Sequence, residues 1–282
     1  MAERDRYIPG VPCWADTTQP DPDAAKEFYG GLFGWELEDV MPPGSDAKYL
    51  EARIGGRRAA AISSAMPGAP TTWNTYVWTT SADEIAAKVR DAGGTVVVEP
   101  MDVLDAGRMA TFTDPEGAAF GVWQPAEHRG AEVVNEHGGV NFNDLNTRDP
   151  EAAKAFYDAV FGWKALAMEG GFEMWTLPGY GDFLEELNPG TKERNRELGG
   201  PEGFEDVVAS IAPLPDDQPD VPAHWGITFA VDDADRAAEQ AAELGGTVVM
   251  PPTDMPWVRM TVITDPQGAT FTASQFVPPS RD

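Results

Sequence analysis

The sequence predicts an α+β protein of two tandem domains, each built from two βαβββ units, and three observations predict it. Length is the first: 282 residues exceed the ~100–200 usual for one domain. Composition is the second: 42% hydrophobic and 24% charged residues suit packed cores rather than a disordered chain. The third is an internal duplication. Asp21-Pro-Asp-Ala-Ala-Lys-Glu-Phe-Tyr-Gly-Gly-Leu-Phe-Gly-Trp35 returns as Asp149-Pro-Glu-Ala-Ala-Lys-Ala-Phe-Tyr-Asp-Ala-Val-Phe-Gly-Trp163, an offset of 128 residues.

The first copy opens with a short strand at 11–17, followed by Asp21-Pro22, an aspartate cap with proline at the first helical position. The helix then runs over about 22–32. Ala24, Phe28 and Leu32 recur at i, i+4 and i+8 as a core-facing stripe, and Gly34 suits the position just past a helix end. Residues 48–54 and 58–63 read as strands. The second unit repeats the plan: strand 72–79, helix 81–92 closed by Gly93-Gly94, then strands at 95–98, 109–113 and 119–123, the last after the Asp114-Pro-Glu-Gly turn.

In the second copy the corresponding elements are strand 140–146, helix 150–160, strand 224–231, helix 232–244 and strands 247–250, 260–264 and 270–276. Later repeated pairs sit further apart. Leu244-Gly-Gly-Thr-Val-Val249 follows Ala92-Gly-Gly-Thr-Val-Val97 at an offset of 152, so the second copy carries an insertion. Its Pro, Gly and charge-rich sequence reads as a loop or lid at about 185–222. The domains are therefore expected at 1–126 and 139–282, joined by a polar linker at 127–138.

Net charge is −27, from 47 acidic and 20 basic residues. So negative a surface repels phosphate backbones and anionic lipid, which argues against nucleic acid and membrane as partners. Cys13 is the only cysteine and has no intrachain disulfide partner. No run approaches the ~18 apolar residues that suggest a membrane span, so a cytoplasmic location is expected. No phosphate-binding glycine loop and no nucleophile elbow is present.

The helix motif Asp-Pro-x-Ala-Ala-Lys-x-Phe-Tyr ending in Phe-Gly-Trp, the Gly-Gly helix end and the terminal Asp-Pro-x-Gly occur in both copies. Together they resemble the vicinal oxygen chelate superfamily: glyoxalases, bleomycin-resistance proteins and extradiol dioxygenases. More narrowly, the chain is similar to two-domain actinobacterial glyoxalase-like proteins. The resemblance implies paired units forming half-barrel cups, used elsewhere for isomerases, lyases, transferases, dioxygenases and plain binders.

It also implies where a metal would sit. The first ligand falls at Trp14 and Phe142, the third at Asn74 and Gly226, and the last at Gly121 and Thr272. The second falls within 58–63, which holds no acid or histidine, and within 182–186, where Glu185 or Glu186 could serve. One carboxylate does not hold a divalent ion, so no metal and no cofactor is expected.

With those positions inward, strand period two sends Asp16 and Asp144 to the same side as Trp14 and Phe142, and Tyr76 and Trp78 to the side of Asn74. The candidate ligand-binding residues are Trp14, Asp16, Asn74, Tyr76, Trp78, Phe142, Trp225 and Thr272. The candidate catalytic residues are His224, Asp144 and Glu185, a histidine that titrates near neutrality and two carboxylates. Arg108 and Arg259 are equivalent and would pair with acids or a substrate anion, whereas His128 and His137 lie in the polar linker and read as solvated. The expected function is metal-independent binding or sequestration of an aromatic or polycyclic compound. The alternative is a lyase, isomerase or oxygenase of secondary metabolism acting in the second cup. The expected partner is a small organic molecule, and the chain is expected as a fused pseudo-dimer monomer or a homodimer.

Overall fold

The computed structural model of the chain describes residues 4, 6–66, 68–168 and 171–278. The first copy runs β1 (Pro12–Gln19), α1 (Pro22–Phe33), β2 (Glu36–Asp39), β3 (Tyr49–Ile54), β4 (Arg57–Ser64), β5 (Thr72–Trp78), α2 (Ala82–Asp91), β6 (Thr95–Val103), β7 (Gly107–Thr113) and β8 (Ala119–Pro125). The second runs β9 (Val140–Thr147), α3 (Pro150–Phe161), β10 (Lys164–Ala167), β11 (Glu173–Thr176), α4 (Tyr180–Leu187), α5 (Thr191–Glu197), β12 (Val207–Pro213), β13 (His224–Ala230), α6 (Ala234–Glu243), β14 (Thr247–Met255), β15 (Val258–Thr264) and β16 (Thr270–Phe276). Each copy forms an eight-stranded mixed sheet, in the orders β2-β3-β4-β1-β5-β8-β7-β6 and β10-β11-β12-β9-β13-β16-β15-β14. This is the α+β, paired-βαβββ architecture. Among the described residues no helix is long and apolar enough to cross a membrane.

The repeated helix motif folds as its chemistry dictates. The Asp21 carboxylate accepts from the N–H groups of Asp23 and Ala24, and Asp149 accepts from Ala152, satisfying donors that a helix start leaves open. Gly34 and Gly162 end the helices at φ 70° and 76°, left-handed positions that cost a side-chain-bearing residue strain. Two features depart from expectation. Strand β2 goes unseen in the sequence because Glu36-Leu-Glu-Asp39 is a short, exposed edge strand with little apolar patterning. The insertion is not an irregular loop: it holds α4, α5 and a 3-10 turn at Phe204–Asp206, then β12, the counterpart of β4. Near the N-terminus Arg4 donates to the Tyr180 hydroxyl of α4 at 2.8 Å, and Arg6 lies over the Phe183 ring at 5.7 Å.

Compactness follows a different partition from the repeats. One unit comprises Met1–Trp14, Thr75–Gly130 and Phe142–Trp225; the other comprises Ala15–Asn74, Ala131–Asn141 and Gly226–Asp282. Each unit thus joins one half of the first copy to one half of the second. In the second unit, Phe33 of α1 packs on Phe229 of β13 and Phe271 of β16 at ring distances of 5.0 and 5.7 Å, and Tyr29 on Phe271 at 5.8 Å. In the first, Phe156, Tyr157 and Phe161 of α3 surround Phe120 of β8 at 6.1, 5.7 and 5.9 Å. Such aromatic pairs add about 0.5–1.5 kcal/mol each beyond burial.

The repeated Tyr and Asp residues join the same halves. The Tyr29 hydroxyl donates to Asp265 Oδ2 at 2.8 Å and accepts from Trp73 Nε1 at 3.1 Å; Gln19 Nε2 donates to the same carboxylate oxygen. Tyr157 likewise donates to Asp114 Oδ2 and accepts from Trp225 Nε1 at 2.8 Å. In both, the other carboxylate oxygen accepts the N–H groups of its own Asp-Pro-x-Gly turn. Burial pushes both tyrosines well above their ordinary pKa, and it raises Asp114 against the lowering effect of its hydrogen bonds. These motifs are structural staples.

Candidate functional site

Strand β1 alternates as expected. Cys13, Ala15, Thr17 and Gln19 face one way, while Asp16 and Thr18 share the other, as a single contact proves: Asn74 Nδ2 donates to Asp16 Oδ1 at 2.8 Å and to Thr18 Oγ1 at 3.1 Å. Asp16 is 5% exposed. Its second oxygen accepts the Tyr49 hydroxyl at 3.2 Å. Tyr49 stands on β3, two strands away, and β4 lies between. The register sets Asp16 and Glu51 on either side of Ala61, and Thr18 and Tyr49 on either side of Ser63. Adjacent strands lie about 4.8 Å apart, so a tyrosine spans two of them only over side chains this small. Ala59, Ala61 and Ser63 make a floor, with acceptor groups on one flank and Tyr49 and Glu51 on the other. Glu51, also buried, is held by Arg53 and Arg58.

In the other unit the half of this sheet made by β5, β8 and β7 is aromatic. Tyr76 is level with Gly121 and Trp78 with Trp123, and Met109 is the β7 neighbour of Trp123. A Cβ on Gly121 would meet the Tyr76 ring at 2.4 Å, and one on Gly107 would meet the Trp123 ring at 2.6 Å. Both glycines let rings lie flat on the strands. Trp123 Nε1 donates to the His128 carbonyl at 2.7 Å, and the His128 ring stands edge-on to Trp14 at 4.3 Å and to Trp123 at 5.6 Å. His128, expected in solvent, is therefore packed between two tryptophans.

The remaining sequence candidates are dispersed. Asp144, on the half-exposed face of β9 with Phe142, accepts the Ser210 hydroxyl of β12. His224 is exposed at the start of β13, with Nδ1 2.8 Å from the Pro222 carbonyl oxygen. Glu185 lies not on a strand but on α4, where its carboxylate accepts the N–H groups of Gly190 and Lys192 at the start of α5; these bonds lower its pKa. No hydrogen bond links any two of these three. Thr272 is half-buried on β16, level with Thr228. Trp225 requires a correction: it faces the helix side, buried against Tyr157 at 5.5 Å, because its position is one residue out of phase with His224 and Gly226. Arg108 pairs with Asp83 and Asp102, and Arg259 pairs with Asp235 and Asp254. Cys13 is buried and its thiol is pushed up by burial, which leaves it a poor nucleophile.

The donors do not fit the divalent ion that the resemblance implies. Its positions hold Trp14, Asn74 and Gly121 in one copy and Phe142, Gly226 and Thr272 in the other, and the β4 face offers Ala61 and Ser63. Among the described residues no group of three or more His, Cys, Asp or Glu side chains is placed to hold a metal. The structure joins the candidates Asp16 and Asn74 by a hydrogen bond and adds Tyr49, Thr18 and Glu51, which the sequence did not single out. Thr18 was within reach, being in phase with Asp16. Tyr49 and Glu51 needed the β3–β4 register.

Comparison with known proteins agrees with this architecture. CFP32 of Mycobacterium tuberculosis, designated a glyoxylase, is 40% identical over 99% of both chains. The anthracycline biosynthesis protein DnrV of Streptomyces peucetius is 36% identical over 94% of this chain and 93% of its own. Among solved structures, a Mn(II)-bound glyoxalase from Novosphingobium aromaticivorans superposes with a TM-score of 0.61 at 16% identity, covering 95% of this chain and 82% of that one. The 2,3-dioxygenase LapB of Pseudomonas sp. KL28 gives 0.60 at 15%, covering 98% and 96%; at such identities the likeness is one of fold. The family description Glyoxalase/Bleomycin resistance protein/Dioxygenase superfamily matches residues 15–122 and 139–272, and the chain belongs to that superfamily.

Proposed function

We propose that this chain binds a flat aromatic or polycyclic organic compound, without a divalent metal, on the sheet of its first copy. The observation that carries the reading is the pair of glycines, Gly121 and Gly107, that let Tyr76 and Trp123 lie flat on neighbouring strands. Tyr76 and Trp123 are each 8% exposed, so a planar compound stacks on them only as neighbouring side chains move aside, and rings backed by strands lose little conformational entropy in doing so. The donor set, unsuited to a divalent ion, supports a role that does not depend on one. Two of the relatives bear names from anthracycline biosynthesis, and anthracyclines are polycyclic aromatics. Titration of the chain with a panel of planar polycycles, in chelator, followed by tryptophan fluorescence and calorimetry, tests this. Saturable one-to-one quenching supports it; no binding to any member overturns it.

A second reading, a lyase, isomerase or oxygenase of secondary metabolism, draws on Asp144 and Ser210, a carboxylate and hydroxyl on a half-exposed face of the second copy. Turnover that vanishes in Asp144→Ala while binding persists would select it over simple binding.

A further inference from the structure

We propose that Asn74 determines specificity, through its side-chain carbonyl, for compounds that carry an outward hydroxyl donor, a phenol above all; this rests on the binding reading above. A carboxamide has two N–H hydrogens and one carbonyl oxygen. Both hydrogens are directed at acceptors, Asp16 Oδ1 at 2.8 Å and Thr18 Oγ1 at 3.1 Å. Asp16 and Thr18 thus take up both N–H hydrogens from the same side. Oδ1 is therefore turned away from Asp16 and Thr18, and no protein donor among the described residues bonds to it.

Asp16 is the positioning residue. It is buried, tied by Tyr49 on its other oxygen, and level with Ala61 of β4. Asn74 itself is half-buried, as a group that must meet a ligand has to be. An acceptor fixed in this way rewards a hydroxyl and gains nothing from an ether, and a phenol is a stronger donor than an alcohol. The second copy has Gly226 at the equivalent position and lacks this device.

The test compares a dihydroxyanthraquinone whose hydroxyls lie away from the quinone carbonyls with its dimethyl ether, which keeps the flat shape and loses the donors. The wild-type chain is expected to favour the phenol by about five- to tenfold, the usual worth of one such hydrogen bond. In Asn74→Leu the ratio falls to about one, with affinity for the ether retained; in Thr18→Val, which releases one side of the amide, it falls part of the way. Equal affinities in the wild type overturn the proposal and leave the binding reading standing. Failure of both compounds to bind while other planar polycycles bind overturns the proposal alone, and failure of every planar polycycle takes down both. A ratio unchanged in Asn74→Leu overturns it, and if that variant does not fold, an unchanged ratio in Thr18→Val does so.

Discussion

The Tyr29 hydroxyl, from the first sequence copy, donates to the carboxylate of Asp265, from the second, at 2.8 Å. Tyr157 and Asp114 repeat the bond with the copies reversed. The motifs Phe-Tyr and Asp-Pro-x-Gly recur because each copy supplies one partner of a staple whose other partner lies in its duplicate. The two compact units are thereby assembled from exchanged halves. The apolar strips of α1 and α3 bury themselves on strands of the opposite copy, and the chain satisfies within itself an interface that one copy alone leaves open.

Removing the staple hydroxyl strands a buried donor. Tyr29→Phe leaves the Trp73 indole without its acceptor and takes one of the donors from Asp265, which keeps Gln19, and should cost about 1–3 kcal/mol. The denaturant midpoint should fall by the corresponding amount with the m-value unchanged. A midpoint within error of the wild type would show that the bond contributes nothing to folding.

Asp114 makes stability depend on pH. Its native pKa is raised, chiefly by burial, so the folded state holds the proton more tightly than the unfolded chain. The stability contributed by protonated Asp114 is complete below the ordinary value of 3.8 and is lost as pH rises through the raised native value. Asp114→Asn keeps an acceptor for the turn N–H groups and never ionises. The Tm difference between this variant and the wild type should therefore move in the variant's favour from pH 3.8 upward, and a flat or opposite trend would contradict the assignment.

What could be read from the residues, and what could not, divides on physical lines. Helix ends are local chemistry, so Asp21, Asp149, Gly34 and Gly162 marked them correctly. Strand phase is also local: with the positions that the resemblance implies taken as inward, it put Asp16 and Asn74 on inward faces, and the structure joins them. The exchange of halves was invisible because it is degenerate: the sequence of the first copy holds its own Asp-Pro-x-Gly, chemically equivalent to the one that Tyr29 uses. Tyr49 was missed because its reach to Asp16 depends on Ala61 and Ser63 of the intervening strand. The helices of the insertion hid in a segment rich in proline, glycine and charge, where composition outweighs periodicity.

Glu185 belongs to that insertion as a cap. Its carboxylate gathers the open N–H groups at the start of α5, and its lowered pKa follows from those bonds. Glu185→Ala should raise amide hydrogen exchange across Thr191–Glu197 while leaving the sheets protected. Because the native pKa is depressed, the capping contribution is present above the ordinary carboxylate value and is lost as pH falls through the native one. The same amides should therefore exchange relatively faster at acid pH in the wild type, once intrinsic rates are corrected, and not in the variant. Uniform protection in both proteins would remove the capping role.

Gly121 tests the flat aromatic surface directly. A methyl group there would sit 2.4 Å from the Tyr76 ring, closer than any real Cβ contact, so the ring or the strand must shift. Both are constrained, since Gly121 is level with Tyr76 on β5 and with Thr111 on β7. Overpacking of this kind costs about 1–3 kcal/mol, and Gly121→Ala should lower Tm accordingly. It should also tilt Tyr76 off the sheet and weaken binding of a planar polycycle by more than the loss of stability alone explains, under conditions where the variant remains folded. Gly117, in the Asp-Pro-Glu-Gly turn, supplies the control, because a Cβ added there would meet nothing within 4 Å while φ stands at 97°. Gly117→Ala should therefore lose stability through backbone strain and keep its affinity. Equal affinity in both variants would separate the flat face from the ligand and count against binding there.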